Sequence, residues 1–398
     1  MSAWSSTHIW TGPERRRCSP ERCEEVPMKA VDSPVLRRGL DPEKTTGLIL
    51  AGMGGPDGPD SVKPFLTNLF RDPAVLPMPA PIARAVGAWL VHRRASEVRE
   101  RYGALGFGGG SPQVESTRAQ SAEMARLLGE RGFAVLPSVA MRYWHPFAEE
   151  AVEALLRDGA GQFVVIPTYP QYASATTGTV FASLTRAMAR LAPAATVHRI
   201  DDWHLLPGYV EALAARAEQA VRRLVEAGSP PEECALLYSA HSLPERFIRA
   251  GDPYLSQTRA TVARVHDSLR RRLADAGDWF ETMPGGGREM LAFQSEVGPV
   301  RWIGPSLIEE TRRLGEAGCG SLAVVPVSFA CEHIETLMEL DVELAEEAAE
   351  AGIRDFVRTP ALGMDPGWLQ SMADLVEERL FASRGARRAA DPGRTAHA

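Results

Sequence analysis

Two strings in the second half of the chain carry the residue types that do chemistry. One is Ser239-Ala240-His241-Ser242-Leu243-Pro244-Glu245; the other runs Cys331-Glu332-His333-Ile334-Glu335-Thr336-Leu337-Met338-Glu339-Leu340-Asp341. Each places a histidine after a run that reads as a buried parallel strand, 234–240 and 322–329. In open α/β sheets the carboxyl ends of the strands form the ligand crevice, so a polar side chain there is placed for chemistry. The second string continues into a helix with carboxylates at Glu335, Glu339 and Glu343, a spacing that stacks three acids along one face. An imidazole facing a carboxylate stripe can bind a metal ion or move protons, since imidazole titrates near neutrality. The milder reading is a hydrogen-bonded structural histidine beside a solvated helix face. Strand-end placement tips His241 and Glu335 towards chemistry; Glu343 fits a solvated face better.

Such residues need a rigid frame. Eight strand-like runs alternate with helical stretches: 47–53, 134–140, 163–167 and 196–200, then 234–240, 290–295, 322–327 and 354–359. Alternation of this kind predicts an α/β protein whose parallel sheets are covered by helices on both faces. The halves look like copies. Leu48-Ile49-Leu50-Ala51-Gly52-Met53-Gly54-Gly55-Pro56 lines up without a gap on Leu236-Leu237-Tyr238-Ser239-Ala240-His241-Ser242-Leu243-Pro244, and Val164-Val165-Ile166-Pro167 echoes Ala323-Val324-Val325-Pro326. Met53 and His241 then hold equivalent strand ends, and facing domains would set them on opposite walls of one cleft. At 398 residues the chain suits two domains. The expected partition is a mobile extension over 1–43, domains over 44–203 and 204–364, a closing helix over 365–384 and a loose tail over 385–398. Residues 274–289 read as an insertion whose glycines and acids break a helix.

Composition removes several classes. The apolar share of 44% and charged share of 24% are those of a soluble globular protein. A net charge of -7, with no basic stripe interleaved with aromatics, argues against nucleic-acid binding. Cys18, Cys23, Cys234, Cys319 and Cys331 are scattered and odd in number, which fits neither a disulfide framework nor a zinc site. The long uncharged stretch 159–185 contains Pro167, Pro170 and Gly178, so it reads as strand plus loop rather than a membrane span. The first 43 residues lack the apolar core of a secretory signal, and cytoplasmic residence is the default expectation.

Other segments suggest a binding surface. Gly108-Gly109-Gly110-Ser111-Pro112 opens a helix and resembles an anion cradle, with Arg93, Arg94, Arg99, Arg101 and Tyr102 nearby. Met141-Arg142-Tyr143-Trp144-His145-Pro146 ends the second strand, where Arg142 and Tyr143 could grip a planar carboxylated ligand by ion pairing and stacking. Residues 80–91 set Ile82, Val86, Trp89 and Leu90 on one helical stripe, which reads as core or as an apolar lip for a greasy ligand or membrane surface. Gly52-Met53-Gly54-Gly55 lacks the third glycine of a dinucleotide fingerprint, Asp57 standing in its place.

Together these residues resemble the ferrochelatases, which insert ferrous iron into a porphyrin. The resemblance runs from about residue 46 to 378 and rests on MGGPD, FLTNLFRDP, GGGSP, MRYWHPF, YPQYASATTG, SAHSLPE with GDPY, FQSEVGPVRWIGP and HIETLMELD, in that order. It implies two Rossmann-like domains of the class II chelatase type, each a four-stranded parallel sheet flanked by helices, with protoporphyrin IX held between them. It further implies that His241 is the metal ligand or acceptor of pyrrole protons and Glu335 its acidic partner, both touching the iron. His333, Glu339 and Glu343 would continue a polar path. Met53 would lie on the opposite wall and Leu69 in the entrance lip. Arg142, Tyr143, Trp302 and Phe329 would line the pocket, while Arg94, Tyr102 and Ser111 would meet the propionates.

Three features set this chain apart within that pattern. GALGF makes the approach to GGGSP one residue longer, which bears on Tyr102 more than on Ser111. Glu332 stands where an aspartate is usual, carrying its carboxylate one methylene farther out, a change expected to touch iron delivery more than insertion. No cysteine follows Cys331, so a [2Fe–2S] cluster held by C-terminal cysteines is not expected, nor is any other permanently bound cofactor. The methionine of MGGPD favours protoporphyrin IX over coproporphyrin III. The rival readings are a coproporphyrin ferrochelatase, a cobalt or nickel chelatase, and a non-catalytic haem or porphyrin carrier. Peripheral contact with the inner membrane stays open, as does the oligomeric state.

Overall fold

A computed structural model describes residues 40–296 and 300–390, with side chains as far as residue 380. The expected extension over 1–43 and the tail thus fall largely outside the described residues, as do Cys18 and Cys23. All eight strands form within a residue or two of their expected bounds: β1 Thr46–Gly52, β2 Val135–Met141, β3 Gln162–Pro167, β4 Thr196–Arg199, β5 Cys234–His241, β6 Leu291–Gln294, β7 Ser321–Pro326 and β8 Asp355–Arg358. They build two four-stranded sheets, ordered β2-β1-β3-β4 and β6-β5-β7-β8, with every pair parallel.

The repeat extends to register. Thr46 pairs with Gln162 as Cys234 pairs with Ser321, and Gln162 pairs with Thr196 as Ser321 pairs with Asp355. The ungapped alignment of the two halves is therefore an alignment of hydrogen-bonded positions. Each order reverses direction between its first and third strands, so each lobe has a switch-point crevice at the carboxyl ends of β1 and β3, or β5 and β7.

Strand side chains alternate between two buried faces. Leu48, Leu50, Val164 and Ile166 share one core cluster with Leu236, Tyr238, Ala323 and Val325, whereas Ile49, Ala51, Phe163 and Val165 face one outer layer and Ala235, Leu237, Leu322 and Val324 another. The inner faces of both sheets thus share a core, completed by the helices Pro207–Glu226 and Pro366–Ala390. The last helix continues to Ala390, past the stop expected at 384. The helix Tyr254–Arg272 ends just before the segment 274–289, which is ordered. This segment forms the helix Gly277–Thr282, buries Phe280 and Met283, and its Pro284 carbonyl accepts from Leu236 N beside β5. Gly285, at φ +84, lies so close to the Leu236 carbonyl that a Cβ would sit 2.0 Å from its oxygen.

Buried polar pins fix the lobes to each other. Gln171 Nε2 donates to Tyr209 OH (3.2 Å), Thr261 Oγ1 (3.1 Å) and the Val327 carbonyl (3.1 Å). Ser174 donates its N–H and hydroxyl to Asp252 Oδ2 at 2.7 and 2.6 Å. The polar YPQYASATTG segment of the first half is thereby a plug on the GDPY turn of the second. Because the two N–H groups of the Gln171 amide are shared among these buried oxygens and are lost in Gln171→Leu, that variant should be less stable by roughly 1–3 kcal/mol, seen as a lower urea midpoint at unchanged slope. An unchanged midpoint would mean the amide contributes nothing to holding the lobes.

Candidate active site

The second switch point gathers the histidines and acids. His241, the last residue of β5, is half-buried. Its backbone is tied on both sides: Tyr254 OH donates to the His241 carbonyl at 2.6 Å, and His241 N–H donates to Ser328 Oγ at 3.3 Å. Its ring Nδ1 lies 2.7 Å from the Ser242 carbonyl. A carbonyl only accepts, so Nδ1 carries a proton and the neutral ring keeps its lone pair on Nε2, available for a proton or a metal. Phe329, buried after β7, sits between the two imidazoles, its ring centroid 6.5 Å from His241 and 4.5 Å from His333.

Glu335 lies in the first turn of the short helix Ile334–Leu337, with His333 Nδ1 2.8 Å from its Oε2. Burial alone would push this carboxyl up; the adjacent His333, reinforced by His241, outweighs burial and holds it down at about 2. Glu339, one turn on, moves the other way: burial and the ionised Glu335 beside it push its carboxyl up. Gln294 Nε2 bridges the two, donating to the Glu335 carbonyl (2.8 Å) and to Glu339 Oε2 (3.1 Å), and the Ser295 hydroxyl also bonds Glu339. Ser295 adopts φ 67, a left-handed backbone rare outside glycine, at the point where it reaches this acid. One carboxylate fixed in its charged form therefore neighbours a second that takes a proton more readily.

The expected acid stripe survives only in part. From Glu339 to Leu344 the backbone widens into a π-helix, a feature the sequence reading did not anticipate. Glu343 turns out of the line to pair with Arg101 on the helix Ala80–Ala104 of the first lobe. Glu332 points away from the site altogether. Its Oε1 accepts from Arg358 Nη1 (2.7 Å) and Ala361 N (2.8 Å), and its Oε2 from Thr336 Oγ1 (2.5 Å). These bonds brace the loop that leads into the helix Ile334–Leu337.

The first lobe contributes an apolar cluster. Met53, Leu69, Tyr102 and Tyr143 belong to one apolar cluster, and Ile334, next to Glu335, packs against it from the second lobe. Tyr102 is buried, and burial with nearby Glu335 pushes its phenol up. A Cβ on Gly55 would lie 2.4 Å from Ser111 Cβ and 3.4 Å from Tyr102 OH, so the longer GALGF approach still brings Tyr102 and Ser111 to one place. Arg142 Nη2 and Tyr143 OH both bond Asp72 Oδ2, at 2.7 and 3.0 Å. Asp72 was not singled out from the sequence; a lone acid after an apolar helix gives no signal until the fold sets a cation beside it. Trp302 bridges backbone to backbone with Pro244, just past the His241 turn. Arg94 lies half-buried along the lip helix and makes no ion pair among the described residues. The apolar stripe on that helix divides: Leu90 packs inward, while Ile82 and Trp89 remain 53% and 57% exposed. Among the described residues no three His, Cys, Asp or Glu side chains form a preset metal cage. A cavity of about 730 Å³ lies outside the His241–Glu335 group, lined by Phe107, Ser111, Glu115, Arg118 and His145 among others.

A sequence model of the ferrochelatase family matches residues 45–380. The chain belongs to the ferrochelatase family. A ferrochelatase of a Synechococcus species is 39% identical over 339 residues, covering 84% of this chain and 82% of that one. A ferrochelatase of Gloeobacter violaceus is 39% identical over 338 residues, covering 84% of this chain and 97% of the relative. Among solved structures, CbiX, described as the terminal enzyme for biosynthesis of sirohaem in denitrifying bacteria, covers 84% of this chain and 99% of its own at a TM-score of 0.44 and 14% identity.

The state of Glu335 gives a pH test. Its folded pKa of about 2 lies below the ordinary glutamate value, ~4.3, so ionisation stabilises the fold above that value and the contribution is lost as pH falls towards 2. The stability difference between the parent and Glu335→Gln, from urea unfolding, should be fully present near pH 5 and shrink below about pH 4. A difference that stays flat down to pH 2 would show that the carboxylate is not held by its histidines.

Proposed function

We propose that this chain inserts ferrous iron into protoporphyrin IX, with His241 and Glu335 as its catalytic residues. The observation that carries the reading is the gathering at one switch point of an Nε2-free imidazole and a buried, ionised carboxylate, beside a first-lobe apolar cluster against which Met53 and Ile334 pack. The reaction of the ferrochelatase family is haem-forming metal insertion, and the chemistry asks for what this site offers. A free porphyrin core carries two N–H protons that must leave as the metal enters. His241 Nε2 accepts a proton, and Glu339, whose carboxyl is pushed up, is suited to pass one on. Glu335 stays charged and presents hard oxygen to Fe²⁺ without a closed cage, so the ion is held loosely enough to transfer.

Binding of the macrocycle falls to the other residues. Met53, Leu69, Tyr143, Trp302 and Phe329 offer apolar and aromatic surface to its faces; Arg94, Tyr102 and Ser111 offer donors to its propionates, and Arg142 is braced by Asp72. His333 acts by holding Glu335 ionised, while Glu343, engaged by Arg101, contributes less to proton or metal movement. Exposed Ile82 and Trp89 support contact of the lip helix with an apolar surface such as a membrane, a route for a poorly soluble substrate. No helix among the described residues is long and apolar enough to cross one.

Anaerobic turnover of protoporphyrin IX with Fe²⁺, followed by loss of porphyrin fluorescence, tests the reading. His241→Ala should abolish insertion, at least ~10²-fold, while porphyrin still binds; Glu335→Gln should be severely impaired and Glu343→Gln lose only a few-fold. Near-normal turnover by His241→Ala would remove the catalytic assignment, and equal losses at Glu335 and Glu343 would remove the ranking. Faster turnover of coproporphyrin III than of protoporphyrin IX would overturn the substrate.

A further inference from the structure

The segment that carries His333, Glu335 and Glu339 is irregular. A four-residue helix, Ile334–Leu337, passes through Met338 (φ -105, ψ -53) into the π-helix Glu339–Leu344. At the junction the Met338 carbonyl is shared, accepting from Val342 N at 3.2 Å and Glu343 N at 2.9 Å. One bond is the α pattern and the other the π pattern, so local hydrogen bonding alone does not choose between the two registers. A change of register would rotate Glu339 relative to Glu335. Something outside the helix must fix it.

Arg358, the last residue of β8, lies directly behind this segment with its side chain 9% exposed. Its guanidinium spans both ends. Nη1 donates to Glu332 Oε1 at 2.7 Å; Nε donates to Asp341 Oδ1 at 2.7 Å, and Nη2 bonds the other oxygen of the same carboxylate. Glu332 in turn holds Thr336 Oγ1 (2.5 Å) and Ala361 N (2.8 Å), and Thr336 Oγ1 accepts from His333 N (3.1 Å). A planar, forked cation is the side chain suited to join two carboxylates at set angles; an ammonium is not.

We infer that Arg358 is a positioning residue for the reaction, a clamp that fixes the π register by gripping Asp341 and Glu332 at the two ends of the acid segment. It touches neither porphyrin nor iron. The clamp rests on the functional reading for its effect on turnover, but its effect on the segment is independent of that reading.

The test uses the full chain and two substitutions, Asp341→Asn, which releases one end, and Arg358→Lys, which keeps the charge but not the fork. Amide hydrogen exchange over 334–343 should quicken about tenfold or more in Asp341→Asn, with the core strands unchanged. With Fe²⁺ and protoporphyrin IX, kcat should fall roughly 10- to 100-fold while KM for the porphyrin stays within about twofold, and Arg358→Lys should fall between that variant and the parent. Unaltered exchange over 334–343, faster exchange spread through the whole fold, or an unchanged kcat in folded Asp341→Asn would each overturn the clamp. A parent chain that turns over no porphyrin would remove the proposed function, leaving the exchange comparison to decide the clamp alone.

Discussion

A charged carboxylate kept inside the protein governs the rest of this site. Burial works against the ionised form of Glu335, and the fold supplies two imidazoles, His333 and His241, to oppose that penalty. Removing water strengthens each of these interactions and makes each costly to lose. The neighbouring Glu339 feels the same charge with the opposite result, its proton held more firmly. Two acids of one helix face are thus driven apart in character by position, one suited to a cation and the other to a proton.

That arrangement depends on the duplication. Two sheets of identical order and register share a core, and the end of β1 carries apolar Met53 where the end of β5 carries His241. Identical frames permit chemically unlike walls. The shared core and the Gln171 and Ser174 pins make the lobes one compact unit, the rigid frame that the proposed binding of a flat ligand between them requires.

The central strands were legible because parallel strands buried on both faces read as apolar runs, as β1, β3, β5 and β7 do; the edge strands β4 and β8, which carry charged residues, were legible from the alternation with helices. The position of His241 was legible for a related reason, since it stands where such a run ends, and that of Glu335 from the helix expected after β7. The π-helix was not. The sequence ELDVEL suits an α-helix equally well, and the choice is made by Arg358 on a strand distant in sequence. The partners of Glu332 were hidden on the same ground: Arg358, Thr336 and Ala361 meet it only in the folded chain. The pairings of Asp72 with Arg142 and of Glu343 with Arg101 join segments whose proximity exists only after folding.

The central claim is that a tetrapyrrole lies between the lobes with His241 and Glu335 at its centre on one face and Met53 on the other. A crystal structure of the full chain with protoporphyrin IX bound tests it most directly. The pyrrole nitrogens should be found within reach of His241 Nε2, with the ring plane between that atom and Met53. A macrocycle seated instead in the outer cavity beside Phe107, Arg118 and His145, or with its core turned from both catalytic side chains, would contradict the account.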